Sequence, residues 1–354
     1  MQFTFAVEVT AATVGRLGVE YPVGALVTKR RLEMNRRDFL EIAGAVSAGM
    51  LAPGLARTAL AEAAALSFAS TTGAVGLTTQ VVARDSLAKR NGLALDVRVL
   101  DPGAAEQATL IGQTNAGIFA PLSAAEVDLK GQDMVCFGPA LYMHSSLMVW
   151  KDSPYQSLAD LKGKRISLLN KVSGAYRGMQ LLASWQGLDF EKDFQLVTAP
   201  PPAIIAFLER KQVDAIVIHE PLVSKLLASG KFRIIFEMND VWKEKMKGDW
   251  LFLSFAAHEK WLKGNLATAH RLLDTLLEAA RNIRSHPELV GAEAAFLGLK
   301  SKAEIDLATQ RMPKIFPTEW NEASVHEVLE GVREAVAMKQ ISGMPQSDFV
   351  RVLG

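Results

Sequence analysis

Leu147-Met148-Val149-Trp150-Lys151-Asp152-Ser153-Pro154 and, after Tyr155-Gln156, Ser157-Leu158-Ala159-Asp160-Leu161-Lys162-Gly163-Lys164-Arg165-Ile166 decide how this 354-residue chain is read. The first four residues form a short apolar strand, and Lys-Asp-Ser-Pro turns the chain. Ser157 then caps a short helix, Gly163 ends it, and Lys164-Arg165 opens a second strand through residue 169. Alone, 160–165 is a solvated turn. Joined to the preceding strand it becomes a strand–turn–helix–strand unit.

Working outward, the same alternation continues in both directions. Upstream, residues 66–70 form an apolar strand ending in Ser70-Thr71-Thr72-Gly73. A helical pattern over 75–90 stops at Asn91-Gly92. Residues 93–100 alternate as a strand, 104–111 form a helix after Asp101-Pro102-Gly103, and 115–120 form a third strand. Downstream come a helix over 174–187, a strand over 194–198, a helix over 203–210 and a strand over 213–218. A helix over 221–229, a strand over 232–236 and an apolar strand near 250–254 follow, and beyond them the chain is mostly helical, notably over 266–284. Two βαβ series imply α/β architecture: two lobes, each a mostly parallel sheet flanked by helices, with a helical C-terminal tail folding back on the first lobe. The expected division is 62–146 for the first part of lobe 1, 147–252 for lobe 2, and 253–354 for the return and tail.

Composition narrows the function. There are 39 Lys plus Arg against 38 Asp plus Glu, a net charge of +1, without the basic excess of a nucleic-acid binder. Hydrophobic residues make up 49% and charged residues 22%, as in a packed globular chain. The single cysteine, Cys136, excludes an internal disulfide, a CxxC pair and a multi-cysteine metal site, and its apolar surroundings make it a small core residue. His219-Glu220 does not open an HExxH motif, because position 223 is Val. His144, His258, His270, His286 and His326 show no close metal-ligand spacing. GxSxG, GxxxxGK[ST] and strand-following GxGxxG motifs are also missing, so no catalytic residue, metal ligand or cofactor is assigned and the chain is read as a non-enzyme.

The N-terminal region has its own signature. Met34-Asn35-Arg36-Arg37-Asp38-Phe39-Leu40 resembles a twin-arginine export signal, with Asn35 and Glu41 departing from the commoner residues. The apolar run 42–56 is too short and Gly/Pro-broken to span a bilayer, and Ala59-Leu60-Ala61 places cleavage before Glu62. Residues 1–33 then read as an upstream extension that need not be translated, 34–61 as the signal peptide, and the mature chain as a soluble periplasmic protein.

The 147–166 stretch is similar to the second-lobe entry of periplasmic substrate-binding proteins in the nitrate, sulfonate and taurine uptake family, which have the type II periplasmic-binding-protein fold. Ala108-Thr109-Leu110 with Asn115-Ala116-Gly117-Ile118, Arg210-Lys211-Gln212-Val213-Asp214-Ala215, and His219-Glu220-Pro221 resemble further segments of that family. The resemblance implies two lobes joined by two crossings, here set near 145–148 and 253–256. It also implies an interlobe ligand that favours hinge closure, and a monomer that docks on the membrane permease and ATPase of an ABC importer. A periplasmic sensor input is the alternative role. A pyrimidine-synthesis enzyme related to the family is a third, against which the lone cysteine and the export signal speak.

In open α/β sheets ligands bind beyond the carboxyl ends of strands, at helix starts. That rule selects Thr71, Thr72 and Ser123 as hydroxyl donors, with Pro121 shaping the third-strand loop. It also selects Ser173, Gly174, Ala175 and Tyr176 at a helix start, and His219 and Glu220 after a lobe-2 strand. His144 and Ser145 lie at the first crossing, and Trp250 lies before the second. Each has a plainer reading: hydroxyls and Glu220 as helix caps, His219 bonded to a carbonyl, Trp250 as core, Arg177 facing solvent. The set suits a sulfonate-, carboxylate- or nitrate-sized anion, or a neutral heterocycle.

Overall fold

The computed structural model describes residues 65–171, 173–345 and 348–354. The expected upstream extension (1–33) and export signal (34–61) lie outside the described residues. The chain begins with β1 (Leu66–Thr71), α1 (Ala74–Arg84), α2 (Leu87–Arg90), β2 (Leu95–Leu100), α3 (Pro102–Leu110), β3 (Ala116–Phe119), α4 (Pro121–Asp128) and β4 (Met134–Tyr142). It continues with β5 (Ser145–Trp150), β6 (Arg165–Leu168), α5 (Gly174–Trp185), β7 (Gln195–Thr198), α6 (Pro201–Glu209), β8 (Ala215–His219), α7 (Leu222–Ala228), β9 (Phe232–Glu237) and α8 (Met238–Met246). The return comprises β10 (Leu251–His258), α9 (Glu259–Gly264), α10 (Leu266–Ser285), α11 (Glu288–Ala292), α12 (Lys302–Arg311) and α13 (Glu322–Ala337).

The strands form two five-stranded sheets, ordered β2-β1-β3-β10-β4 and β7-β6-β8-β5-β9. In the first, β1 pairs parallel with β2 and β3, whereas β10 is antiparallel to β3 and β4. In the second, β6 is parallel to β7 and β8, whereas β5 is antiparallel to β8 and β9. Each sheet was expected to be mostly parallel; each is mixed, with four strands running one way and one reversed strand that makes both of its pairings antiparallel. That reversal has a topological cause: β5 and β10 are the strands that arrive directly from the other lobe. They enter at the carboxyl ends of their neighbours and must run the opposite way.

The chain passes between the sheets at Met143-His144 and again over residues 247–250. Met143 N–H donates to the Trp250 carbonyl at 2.8 Å, so the two passages run side by side. Residues 145–148 and 253–256, where the sequence set the crossings, lie inside β5 and β10.

Packing follows strand periodicity. Leu147 and Val149 of β5, with Ala215 and Val217 of β8, join one core with Tyr176 and Met179. Met148, Ile216 and Ile218 point the other way, into a second core with Ile204 and Leu226. A sheet covered on both faces reads as a continuous apolar run, which is how β5 and β8 appear in sequence. The first lobe shares its core with the tail: Leu272, Leu276 and Ile283 of α10 pack with Leu77 and Val81 of α1.

Four local features differ from the sequence reading. The helix expected over 75–90 is two helices, broken where Ser86 turns left-handed at φ 53°. β4 and α8 were not anticipated. The tail does not stay on lobe 1, because α12 packs on α7 of lobe 2 while α10 packs on α1. No helix among the described residues is long and apolar enough to cross a membrane.

The start of α1 depends on close approach to β1. A Cβ on Gly76 would lie 2.1 Å from the Thr71 carbonyl oxygen and 2.5 Å from the Phe296 ring. Gly76→Ala is therefore expected to lower stability by about 1–3 kcal/mol, read as a lower urea midpoint at unchanged slope.

Candidate functional site

The carboxyl ends of the parallel strands in the two sheets face one another across the paired passages. The start of α1 meets the start of α7, since a Cβ on Gly73 would lie 3.8 Å from Pro221 Cδ. α4 lies beside the first turn of α5: Arg177 Nη1 is 2.9 Å from Glu126 Oε1, and its Nη2 donates to Oε2 at 3.2 Å. This bidentate interlobe pair employs Arg177 within the protein, and Gln340 Nε2 donates to the Arg177 carbonyl at 2.8 Å.

At the base of the cleft, His144 sits on the first passage and His219 at the end of β8, where Ser145 is its register partner. Their rings meet edge-on at 5.8 Å, and Phe252 of β10 meets His144 edge-on at 5.8 Å. His144 Nδ1 lies 3.1 Å from the Tyr142 carbonyl, which can only accept, so this nitrogen carries the proton and Nε2 is the acceptor in the neutral ring. Burial, with His219 alongside, pushes the His144 imidazole down to about 3 despite the Tyr142 carbonyl. Burial lowers His219 to about 4. Both rings are neutral near pH 7.

Glu220 is 2% exposed. Its Oε1 accepts from Arg311 Nε at 2.6 Å, and its Oε2 accepts from Ser224 N (3.1 Å) and Ser224 Oγ (2.7 Å). Arg311, from α12 in the tail, also reaches Glu237 Oε1 at 2.9 Å. Burial works against the guanidinium charge, but Glu220 and Glu237 outweigh it and hold Arg311 ionised. Glu220 thus caps α7, the plainer of its two readings, and also ties lobe 2 to the tail.

The other candidates divide. Thr72 is exposed at the α1 start, whereas Thr71 is buried and its Oγ1 donates to the Thr72 carbonyl at 3.1 Å. Ser173 caps α5, its Oγ accepting from Tyr176 N at 3.2 Å. Phe252 covers Gly174 at that helix start, since a Cβ there would lie 2.1 Å from its ring. Ala175 is buried in the lobe-2 core. Tyr176 is not brought to the histidines: it is buried in the lobe-2 core, its hydroxyl donating to Glu191 at 2.7 Å. Trp250 is both wall and core. It stacks on Trp242 at 4.5 Å and lines a narrow cavity of about 60 Å³ with Pro121, Gly174, Arg177, Phe252 and residues of α13.

Two participants escaped the sequence reading. Phe252 sits in a strand pattern that gave it no role. Glu106, on α3, places its Oε1 2.8 Å from Ala120 N at the start of α4 and lies in hydrogen-bond reach of Ser123. Burial raises its carboxyl, partly offset by the Ala120 N–H and by Arg177. Among the described residues no group of three or more His, Cys, Asp and Glu side chains could hold a metal.

Two mixed sheets joined by two adjacent passages, with facing helix starts between them, are the architecture of a two-lobe periplasmic-binding-protein fold. Residues 124–296 match the model of the NMT1-like family, in agreement with the resemblance drawn from the sequence. The structure is similar to the periplasmic aliphatic sulphonate binding protein SsuA from Escherichia coli, at 19% identity over 80% of this chain and 95% of that one, with TM-score 0.66. It is likewise similar to the alkanesulfonate-binding protein SsuA from Xanthomonas axonopodis pv. citri bound to MOPS, at 17% identity over 82% and 98%, with TM-score 0.67. A zinc-bound ligand-binding component of an ABC-type import system from Staphylococcus aureus matches at 11% identity over 81% and 96%, with TM-score 0.63. At these identities the likeness establishes the fold. No curated protein matches the chain.

The neutral histidines set a pH dependence. Unfolded histidines protonate near the ordinary value of about 6.5, whereas His144 and His219 resist protonation down to about 3 and about 4. The unfolded chain therefore binds more protons in between, and stability falls as pH drops from about 6.5 towards 4, by up to about 1.4 kcal/mol per pH unit for each ring. Urea midpoints at pH 7.5, 6 and 5 measure this slope. His144→Asn with His219→Asn is expected to flatten it, and an unchanged slope assigns the loss to other groups.

Proposed function

We propose that this protein is the solute-binding component of an ABC importer, capturing a small molecule between its lobes and presenting the closed form to a membrane permease and its ATPase. One observation carries the reading: the strand ends of two sheets face each other across two adjacent passages, the geometry in which hinge motion opens and closes a cleft. The similarity to binding components of import systems supports it. A ligand that touches both lobes binds the closed arrangement better and shifts the population towards it. The narrow space beside Trp250 and Phe252 fits this picture, since binding sites for small organic molecules commonly occupy about 300–1,000 Å³, so entry requires the lobes to part.

The reading extends to the chain's route. The twin-arginine pattern at residues 34–40 supports export to the periplasm with cleavage before Glu62, and N-terminal sequencing of the native protein checks it. In this reading the protein acts as a monomer and turns nothing over.

Thermal unfolding against a panel of alkyl and aryl sulfonates, taurine, nitrate, aromatic carboxylates and pyrimidines tests the function. A true ligand at 100 times its dissociation constant adds about 2.7 kcal/mol and raises the midpoint by several degrees. The expected result is a shift with one organic class, with the ligand recovered unchanged. Consumption of the ligand contradicts the reading.

A further inference from the structure

Helix starts that face a cleft commonly receive anions, because their N–H groups are unpaired and their dipoles favour negative charge. Here the protein's own groups take one N–H at each of three such starts. Glu106 takes the Ala120 N–H at the start of α4 (2.8 Å), and Glu220 takes the Ser224 N–H at the start of α7 (3.1 Å). Ser173 caps α5, and the Phe252 ring lies over Gly174 there. The N-cap residues of α1, α4 and α7 (Gly73, Ala120 and Pro221) supply no side-chain cap.

The charge inventory around the cleft points the same way. Glu106, Glu126, Glu220 and Glu237 are accompanied by two guanidiniums, Arg177 and Arg311, and each guanidinium is engaged by carboxylates. Neither arginine is spare for a ligand anion. On the first passage, His144 Nε2 is an acceptor because its Nδ1–H is held by the Tyr142 carbonyl. Among the described residues no group hydrogen-bonds the His219 ring, which is half-buried at the cleft base. Three aromatic rings gather there, with His144 meeting His219 and Phe252 edge-on.

We infer that the cleft selects a planar ligand with no net negative charge, carrying a hydrogen-bond donor for His144 Nε2, and that Glu106 is a specificity-determining residue that rejects strong acids. The inference rests on the interlobe cleft being the ligand site.

A matched series on the full chain separates charge from shape: benzenesulfonamide (uncharged donor), benzamidine (cation) and benzenesulfonate (anion), titrated calorimetrically at pH 7.5. The sulfonamide or the amidine is expected to bind at least tenfold tighter than the sulfonate, and Glu106→Gln to reduce that ratio severalfold. Tightest binding by benzenesulfonate overturns the inference while leaving the binding-protein reading intact. Failure of both the uncharged and cationic probes overturns it as well, as does a ratio indifferent to Glu106→Gln. If the broader ligand panel is silent too, the reading of the cleft itself falls.

Discussion

The fold turns on one contact, the hydrogen bond of Met143 N–H to the Trp250 carbonyl, which lays the two interlobe passages side by side. Two connections that cross at one place define an axis about which the lobes can move without breaking either sheet. The same constraint reverses β5 and β10 relative to their neighbours, because each enters its sheet from the cleft. It also fixes the floor between the lobes: His144 belongs to the first passage, Trp250 ends the second, and Phe252 follows as the second residue of β10. The floor between the lobes and the passages that join them are consequently made from the same few residues.

Around that axis the lobes are held by charge. Arg177 bridges to Glu126 from α5 to α4, and Arg311 carries the tail to Glu220 and Glu237 of lobe 2. Pairs of this kind contribute more to the choice of arrangement than to stability, since desolvation offsets much of the attraction. Breaking one partner nonetheless leaves a partly buried charge without compensation. The arrangement of the lobes thus depends on ion pairs that border the space between them.

Much of this was legible in sequence because the elements obey local rules. The apolar runs of β1, β3, β5 and β8, the glycine stops and the capped helix starts place the α/β order within a few residues. β4 escaped because Gly138-Pro139 interrupts it, and Pro reads against a strand whose pairing with β10 is set only in the folded sheet. The 75–90 helix looked continuous because nothing local marks the left-handed Ser86. Tyr176 looked like a ligand donor from its place at a helix start, yet its hydroxyl finds Glu191 fifteen residues on, within its own lobe. Glu106 could not be assigned at all, since it reaches the α4 start from a different helix. Local pattern reports that a helix start exists; it does not report what else in the molecule fills it.

The most direct test of the account is the distance between the lobes in solution. Spin labels at Lys130→Cys and Lys192→Cys, exposed sites on lobes 1 and 2, leave the buried Cys136 unlabelled. In that background Glu126→Arg sets two like charges against each other where Arg177 now pairs. The account predicts a distance distribution moved to longer values and broadened relative to the parent, with the circular dichroism of both unchanged. Superimposable distributions in the two proteins would contradict it, because they would mean that the lobes do not move about the paired passages.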